Sequence, residues 1–400
     1  MAVPTRVPVV IIGGGPAGLL LARLLQLAGV ESVVLERQTR AHVMGRVRAG
    51  VLEWGTVEAL RSASVSDRMN REGFVHDGVN LSFADRLLHI DFKGLTGRSI
   101  MVYGQTEVTK DLYAALDEAG VVVVDEAAEV QPHDVDGDAP FVTFVDAGGD
   151  GAVHRIDCAY VAGCDGFHGV SRTVIPSAVA RTFERVYPFG WLGILSETPP
   201  VDDELIYAHS ARGFALCSMR HSLLSRYYVQ CPLDDHVDDW TDSRFWSELQ
   251  ARLPAEAAAR LVTGPSIEKS LTPLRSFVAE PLRHGRLFLA GDAGHVVPPT
   301  GAKGLNLAVS DIHYLAAALI DALCGPGGST STAGLDEYSD RALARVWKAV
   351  RFSWWLTTLM HRFPDQQAFD LKIQEAELAY LAGSPAAQQS FAENYVGLGF

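Results

Sequence analysis

The stretch VPVVIIGGGPAGLLLARLLQLAGVESVVLE, residues 7–36, decides the fold. Its apolar, β-branched start is typical of a strand that is buried on both faces of a parallel sheet. Gly13, Gly15 and Gly18 then fill a GxGxxG turn, which leads into a helical repeat and a second apolar strand ending at Glu36. Such a turn brings backbone N–H groups close to a pyrophosphate, and an acid at the end of the second strand accepts ribose hydroxyls. The segment therefore predicts a dinucleotide-binding βαβ unit.

A second glycine-rich segment lies late in the chain. Residues 285–290 have the pattern of a strand, and a Pro- and Gly-rich loop then leads to a helix predicted from Leu305 to Leu323. The start of that helix can stabilise negative charge on a flavin, and Asp292 can accept hydrogen bonds from a ribityl chain. An ordinary loop with a helix cap is the alternative interpretation.

The composition narrows the class of protein. A chain of 400 residues exceeds one compact core, so two or three interlocked subdomains are expected. A net charge of -14 argues against general binding to nucleic acid or to an anionic membrane, although it allows a local basic pocket. The five cysteines form no CxxC pair, which predicts reduced thiols in the cytoplasm and no metal site. No signal peptide is predicted, because the first residues lack a basic region and a cleavage site, and no membrane span is predicted, because no apolar run approaches the roughly 18 residues that a span needs.

Three motifs resemble the sequence signatures of the flavoprotein aromatic hydroxylases. They are GGGPAG at 13–18, CDGFHG at 164–169 and LFLAGDAGHVVPPTGAKGLN at 287–306, each at the expected place in the chain. The resemblance extends from Val9 to Leu398 and implies FAD as cofactor, NADPH or NADH as reductant, and O2 as co-substrate. The chain has no second GxGxxG turn, which is usual in this family because the reductant docks transiently.

The resemblance also implies which residues contact the cofactors. The residues implied for FAD are Gly13, Gly15, Gly18, Glu36, Arg37, Arg48, Gln105, Asp165, Arg226, Asp292, Lys303, Gly304, Leu305 and Asn306. Those implied for the nicotinamide coenzyme are Arg37, Gln38, His42, His168 and Arg275. Relatives that prefer NADPH tend to carry Arg and Tyr at positions 37 and 42, and only the first is kept here. Arg37 and Arg40 can still meet a 2′-phosphate, so the sequence favours NADPH and leaves NADH open.

One arginine stands out in the predicted substrate sheet. Residues 183–231 alternate as in an antiparallel sheet with one buried face. In GFALCSMR, the period of two puts Phe214, Leu216, Ser218 and Arg220 on one face. An unpaired cation on an apolar face is costly, so Arg220 needs a ligand carboxylate, an internal acid or solvent at the strand end. The pattern alone leaves these alternatives open.

The same region looks like the para-hydroxybenzoate branch of the family. Matched residue by residue, Ser218, Arg220 and Tyr228 correspond to a clamp for the substrate carboxylate. The residues that correspond to the lining of the ring pocket are Val51, Trp191, Leu205 and Leu216. The resemblance therefore implies 4-hydroxybenzoate as substrate and 3,4-dihydroxybenzoate as product. The alternative is the same chemistry on another acid, such as 3-hydroxybenzoate or 3,4-dihydroxybenzoate.

The branch also supplies a path for the phenolic proton. Tyr207 corresponds to the residue that binds the substrate hydroxyl, Tyr395 to its relay partner and His76 to the outer end of the relay. The backbone carbonyl of Pro299 corresponds to a group facing the same hydroxyl. An ionised phenol is electron-rich and so accepts oxygen from a flavin C4a-hydroperoxide, while a histidine exchanges the proton near neutral pH. Arg226 is implied to gate the position of the flavin.

These parts predict an α/β protein with a Rossmann-like FAD-binding domain over 1–181, rejoined by residues 285–325. An antiparallel sheet domain over 182–284 would bind the substrate. A helical segment over 326–400 would complete the fold, and its tryptophan-rich helix fits either core packing or a homodimer interface.

Overall fold

The computed structural model describes residues 3–45, 50–149, 151–325 and 331–400. The strands are β1 (Val9–Ile12), β2 (Ser32–Leu35), β3 (Val51–Leu52), β4 (Phe74–His76), β5 (Gly78–Phe83), β6 (Arg86–Asp91), β7 (Ile100–Val102), β8 (Val122–Val124), β9 (Ala127–His133), β10 (Phe141–Asp146), β11 (Val153–Asp157), β12 (Tyr160–Gly163), β13 (Arg181–Ser196), β14 (Ile206–Ser210), β15 (Gly213–His221), β16 (Leu224–Cys231), β17 (Ser266–Glu280), β18 (Arg283–His284), β19 (Leu287–Leu289) and β20 (His295–Val296). The α-helices are α1 (Pro16–Leu27), α2 (Arg40–Gly45), α3 (Trp54–Ser62), α4 (Asp67–Glu72), α5 (Phe92–Thr96), α6 (Gln105–Glu118), α7 (Asp242–Arg252), α8 (Ala255–Arg260), α9 (Gly304–Cys324), α10 (Ala333–Met360), α11 (Ala368–Gly383) and α12 (Pro385–Val396).

The first sheet carries the predicted βαβ unit. Its strand order is β18-β19-β12-β1-β2-β8, and β1 pairs in parallel with both β2 and β12. All four residues of β1 are buried, as the apolar run predicts for a central parallel strand. Helix α1 begins with Pro16 in its first turn, where the missing N–H costs nothing. The carboxyl ends of β1, β2, β12 and β19 therefore meet at one edge of the sheet.

Helix α9 fills the core between the first sheet and the C-terminal helices. It begins at Gly304, one residue before the predicted start, and packs against α1 and α10. By length and composition it is apolar enough to cross a membrane, yet 61% of its most apolar window is buried inside the fold. Burial of that kind is what a core helix of a globular protein shows.

The second large sheet has the order β20-β17-β13-β16-β15-β14-β5-β6. Its pairs are antiparallel except β14 with β5, which run in parallel. Strands β5 and β6, residues 78–91, come from the part of the chain predicted to bind FAD. The substrate sheet thus includes strands from outside the predicted segment 182–284, and the division of the chain into three domains stays a prediction.

The expectation that this sheet has one buried face is wrong. Along β15, Phe214 and Leu216 belong to one apolar cluster, while Ala215 and Cys217 belong to a second on the opposite face. Helices α7 and α8 cover that second face, with Phe245 and Leu249 of α7 fully buried. The alternation of side chains along β15 correctly predicted which residues share a face. It could not predict that helices α7 and α8 cover the second face.

Candidate active site

A cleft of about 500 Å³ opens at the carboxyl edge of the first sheet. It lies at the N-termini of α1 and α9, where unpaired backbone N–H groups favour phosphate and other anions. The predicted cofactor and coenzyme residues that line it are Gly13, Gly15, Glu36, Arg37, Gln38, His42, Gln105, Asp165, His168, Asp292, Gly304 and Leu305. The structure therefore gathers the three glycine-rich motifs around one cavity.

Two of the glycines are required by close backbone approach. Gly13 has a φ of 112°, and a Cβ there would lie 2.3 Å from the carbonyl oxygen of Cys164. A Cβ on Gly18 would lie 2.0 Å from the carbonyl oxygen of Gly13. Gly18 does not line the cleft, so it serves the packing of α1 on β1, while Gly15 faces open space.

Two carboxylates are held at the cleft by backbone N–H groups. Glu36 accepts from the N–H of Gly14 at 2.7 Å and from that of Gln38 at 2.8 Å. Asp165 accepts from the N–H and the hydroxyl of Ser171 through Oδ2, both at 2.9 Å. Its Oδ1 is buried without a partner in the described part of the chain. Burial raises the pKa of Asp165, and this orphaned acceptor in the wall of the cleft fits a bound dinucleotide.

The predicted coenzyme residues lie in two groups. Arg37 and His42 are exposed at one side of the cleft. His168 also lines the cleft, whereas Arg275 does not, and both residues contact the ring of Phe167, at 5.0 and 4.7 Å. Arg40 does not meet the expectation that it is free for a 2′-phosphate, because it pairs with Asp117 at 2.7 Å and Asp125 at 3.1 Å.

Two tyrosine hydroxyls meet in the apolar core beside the second sheet. Tyr207 on β14 and Tyr395 on α12 lie 2.7 Å apart, and both residues are at most 2% exposed. Burial raises the pKa of each phenol, so both are neutral at neutral pH and can pass a proton along their hydrogen bond. Phe92 stacks on Tyr395 at 4.9 Å, which fixes the ring.

His76 lies at the end of β4, away from this pair. Its imidazole is 2% exposed, and neither ring nitrogen has a hydrogen-bond partner among the described residues. It lines a surface crevice together with Asp203 and Met219. Burial lowers its pKa, against the opposing pull of nearby carboxylates such as Glu204. No direct bond joins His76 to Tyr395, so a relay between them needs an intervening hydroxyl or water.

The predicted carboxylate clamp comes together on β15 and β16. Arg220 points an Nη1–H at the hydroxyl of Ser218, 3.4 Å away, and its buried Nε has no partner among the residues that the structure describes. No carboxylate in the described part of the chain pairs with it. Burial lowers the pKa of Arg220, and the phenol of Tyr228 and, to a smaller extent, the carboxylate of Glu268 oppose that effect. Of the open alternatives, an internal acid in direct contact with Arg220 is not found among the described residues, and Glu268 pairs instead with Arg226 at 2.8 Å.

The ring-pocket residues share one apolar cluster with the tyrosine pair. Trp191, Leu205 and Leu216 are buried in it, and Val51 packs against it half-buried. Trp191 lies 5.2 Å from the ring of Tyr228 and donates its indole N–H to His361 at 2.7 Å. The carbonyl of Pro299 accepts from the N–H of Ala302 at 2.9 Å, and its second lone pair remains.

Three residues that the resemblance assigns to the cofactor have side chains that bind other groups of the protein, so their contact with the cofactor stays a prediction. Arg226 is buried and binds Glu268 and Ser270, each at 2.8 Å. Asn306 donates to the carbonyls of Val51 and Ala302. Lys303 donates to the carboxylate of Glu53 and to a backbone carbonyl of the C-terminal segment. None of the three lines the cleft. Arg226 lies on β16, Lys303 and Asn306 lie at the start of α9, and all three side chains are buried. Arg48 lies outside the described residues.

A buried charge cluster went unpredicted. Glu53 accepts from Lys303 at 2.7 Å and from Arg345 at 2.8 Å, and all three side chains are less than one-tenth exposed. Lys303 also donates to the carbonyl of Tyr395 at 3.0 Å, and Arg345 to that of Gly399 at 3.3 Å. The cluster thus holds the C-terminal segment that carries Tyr395.

A cleft with these features defines a protein that binds an FAD-type dinucleotide, and comparison with known families agrees. Residues 6–353 match the family described as FAD binding domain, and the chain belongs to that family. The sequence is 53% identical over 394 residues to p-hydroxybenzoate hydroxylase of Acinetobacter baylyi, covering 98% of this chain and 96% of the relative.

More distant relatives agree on the class. Para-nitrophenol 4-monooxygenase of a Pseudomonas species is 28% identical, covering 83% of this chain and 81% of the relative. The crystal structure of p-nitrophenol 4-monooxygenase from Pseudomonas putida superposes with a TM-score of 0.79 at 21% identity, covering 98% and 99% of the two chains. The predicted α/β fold and the prediction of a flavin-dependent monooxygenase are confirmed.

Proposed function

We propose that this enzyme hydroxylates 4-hydroxybenzoate at the 3-position, with FAD, NAD(P)H and O2. One observation carries the proposal. Arg220 is a cation without an acid partner in the described part of the chain, set beside Ser218 and Tyr228 near a pair of hydrogen-bonded tyrosines. A ring with a carboxylate at one end and a hydroxyl at the other complements both features. The identity to p-hydroxybenzoate hydroxylase supports the same substrate.

The clamp and the tyrosine pair hold opposite ends of the substrate. The guanidinium of Arg220 would bind the carboxylate through charge-assisted hydrogen bonds, helped by Ser218 and Tyr228. The hydroxyl of Tyr207 would bind the phenolic oxygen and pass its proton to Tyr395. His76, at the crevice, would exchange the proton with solvent. Ionisation makes the ring electron-rich, so that it reacts with an electrophilic oxygen.

The cofactor would occupy the cleft at the edge of the first sheet. Glu36 would accept from the ribose, and the N-termini of α1 and α9 would face the pyrophosphate and the flavin. Asp165, whose Oδ1 has no partner among the described residues, would bind the cofactor from the CDGFHG motif. Once bound and reduced, FAD supplies the activation of O2 for transfer to the ring. The apolar cluster around Tyr207 would exclude water during that transfer.

For the coenzyme we propose that Arg37 is the contact for a 2′-phosphate. Arg40 is neutralised by two acids, whereas Arg37 is exposed at the cleft. NADPH use would then depend on this one cation, with His42 beside it at the cleft. Comparing kcat/KM for NADPH and NADH in the wild type and in Arg37→Gln tests this, since the variant should lose NADPH efficiency selectively. An equal loss for both coenzymes contradicts it.

We also propose a homodimer in the cytoplasm. The C-terminal helices expose apolar side chains, including Phe369 at 74%, Ile373 at 54% and Tyr380 at 59%. All five cysteines are unpaired, as in reducing compartments. Light scattering after size exclusion tests the assembly, and an Ile373→Asp variant should run as a monomer.

The decisive experiment follows NADPH and NADH oxidation by the FAD-loaded protein, with and without 4-hydroxybenzoate, and identifies the product by chromatography. Strong stimulation with stoichiometric 3,4-dihydroxybenzoate supports the proposal. Stimulation that yields only H2O2 points to a different phenolic acid, and no stimulation removes 4-hydroxybenzoate as substrate.

A further inference from the structure

His361 has both ring nitrogens satisfied at the centre of the apolar cluster. It follows the last residue of α10 and is 0% exposed. Its Nε2 lies 2.7 Å from the indole nitrogen of Trp191, and its Nδ1 lies 2.9 Å from the carbonyl oxygen of Thr357. An indole N–H can only donate and a carbonyl can only accept, so the proton resides on Nδ1 and Nε2 is the acceptor. The imidazole is therefore neutral and has one tautomer.

Stacking fixes the plane of the same ring. Phe189 lies on it at 4.8 Å with an interplanar angle of 6°, and Phe214 at 4.3 Å with 27°. Trp191 itself stacks on Phe214 at 4.9 Å with 20°. The indole is thus held by a hydrogen bond at its edge and by an aromatic ring on its face. A buried indole N–H without an acceptor is costly, so the bond to His361 determines where the indole lies.

The other side of the indole borders the clamp. Its ring lies 5.2 Å from that of Tyr228 and shares a cluster with Leu205 and Tyr207. The same helix end also supports the loop after β20, because the hydroxyls of Thr357 and Thr300 are hydrogen-bonded at 3.0 Å, next to Pro299. One wall of the ring pocket and the loop that faces the substrate hydroxyl therefore share a support.

We propose that His361 is a positioning residue for the hydroxylation: by fixing the indole of Trp191 it sets the width of the ring pocket and discriminates against phenolic acids with extra ring substituents. The inference rests on the proposed function, since it takes Trp191 as a wall of the substrate pocket. His361 does not contact the reacting atoms and acts through the indole alone.

The hydrogen bond and the wall are tested first without turnover. In protein labelled with 15N-tryptophan, the indole N–H signal of Trp191 is assigned by its loss in Trp191→Phe. We expect a downfield, slowly exchanging signal that shifts on addition of 4-hydroxybenzoate. His361→Leu should move it upfield, and His361→Gln, which keeps an acceptor, should restore most of the shift. The matched control is His209→Gln, whose imidazole meets the carbonyl of Met360 at the same helix end, and it should leave the signal in place.

Kinetics then test discrimination. We expect His361→Leu to lower kcat/KM for 4-hydroxybenzoate about tenfold, the effect of one lost hydrogen bond, and to lower it less for 3-methyl-4-hydroxybenzoate. Product formed per NAD(P)H should fall as well, which a purely structural defect would not cause in the folded fraction. Because His361 acts through the indole, His361→Leu should add no further loss in a Trp191→Phe background.

Two results overturn the inference. One is an indole N–H signal that does not shift either in His361→Leu or on addition of 4-hydroxybenzoate. The other is a loss of kcat/KM in the double variant that equals the sum of the losses in the two single variants. A wild-type enzyme that binds 4-hydroxybenzoate without hydroxylating it refutes the proposed function instead. In that case the indole signal still decides whether His361 and Trp191 form the wall.

Discussion

The hydroxyl oxygens of Tyr207 and Tyr395 lie 2.7 Å apart although 188 positions separate the residues in the chain. One comes from a strand of the second sheet and the other from the C-terminal helix, so the contact exists only when both parts of the fold are in place. Since the pair is fully buried, its hydrogen bond is the polar route out of the apolar cluster that we assign to the phenolic proton.

Replacement of the second tyrosine should separate proton transfer from binding. Tyr395→Phe keeps the ring stacked on Phe92 and removes one hydroxyl. We expect product formation to fall about 100-fold, the usual contribution of one proton-transfer group, with little change in the Kd of 4-hydroxybenzoate. Single-turnover assays and absorbance titration of the bound phenol measure the two effects. Tyr380→Phe, on an exposed position of α11, is the matched control. Unchanged hydroxylation in Tyr395→Phe would rule out the relay.

Loss of the clamp cation should act mainly on affinity. Arg220→Gln removes charge-assisted hydrogen bonds, so we expect the Kd of 4-hydroxybenzoate to rise about 10- to 100-fold. Binding of phenol, which has no carboxylate, should hardly change. Flavin fluorescence titration measures both constants. Arg212→Gln, which breaks an exposed pair with Glu248, is the control. If both ligands weaken equally, Arg220 is not a carboxylate contact.

The buried cluster predicts a large stability effect. Glu53→Gln leaves the side chains of Lys303 and Arg345 buried without their shared carboxylate, which typically costs about 3–5 kcal/mol. Glu58→Gln breaks an exposed pair with Arg61 and should cost less than about 1 kcal/mol. Urea unfolding compares the free energies. Similar losses in the two variants would mean that solvent already screens the cluster.

The neutral imidazole of His361 predicts a pH dependence of stability. Burial lowers its pKa to about 3, with the like charges of His209 and Arg252 acting in the same direction. The unfolded chain, with a pKa near 6.5, then binds more protons than the folded protein between about pH 3 and 6.5. Stability contributed by this group is full above pH 6.5 and is lost as pH falls through that window. At pH 5.5 the loss is about 1.4 kcal/mol.

The measurement compares unfolding free energies at pH 7.5 and 5.5. His361→Gln removes the titrating group, so it should lose less stability than the wild type over that interval. His133→Gln, whose imidazole is only partly buried against Thr143, serves as the control. If His361→Gln and the wild type lose stability in parallel, other groups account for the acid sensitivity.

Much of the cofactor frame was predictable because its signals are local. Gly13, Gly18 and Glu36 lie within one βαβ unit, where turn geometry and strand ends are encoded in neighbouring residues. The alternation along residues 213–220, which places Arg220 on the same face as Phe214 and Leu216, is also a property of neighbouring residues. The family resemblance then assigned roles that spacing could not assign, such as the pairing of Tyr207 with Tyr395.

The remainder depended on tertiary partners. Glu53 and Lys303 are 250 positions apart, and nothing near either residue indicates the other. Arg40 looked available because its partners Asp117 and Asp125 follow much later in the chain. His361 sits in a loop-like stretch after an amphipathic helix, and its bond to Trp191 spans 170 positions. Such contacts have no periodic signature, and only the folded chain brings them together.

Helix α10 connects places that the chemistry needs to keep in register. Near its start Tyr338 donates to the carbonyl of Leu289 at the end of β19 in the first sheet, and at its end the carbonyl of Met360 meets His209 on β14 of the second sheet at 3.1 Å. Its 28 residues make a rod of about 42 Å. Because such a helix is stiff, it holds the two sheets at a fixed distance from each other, independently of the loops. A pocket redesigned for a larger ring can therefore be changed more freely in the strands than in this helix. Any shift of the helix axis would displace the contacts at both of its ends together.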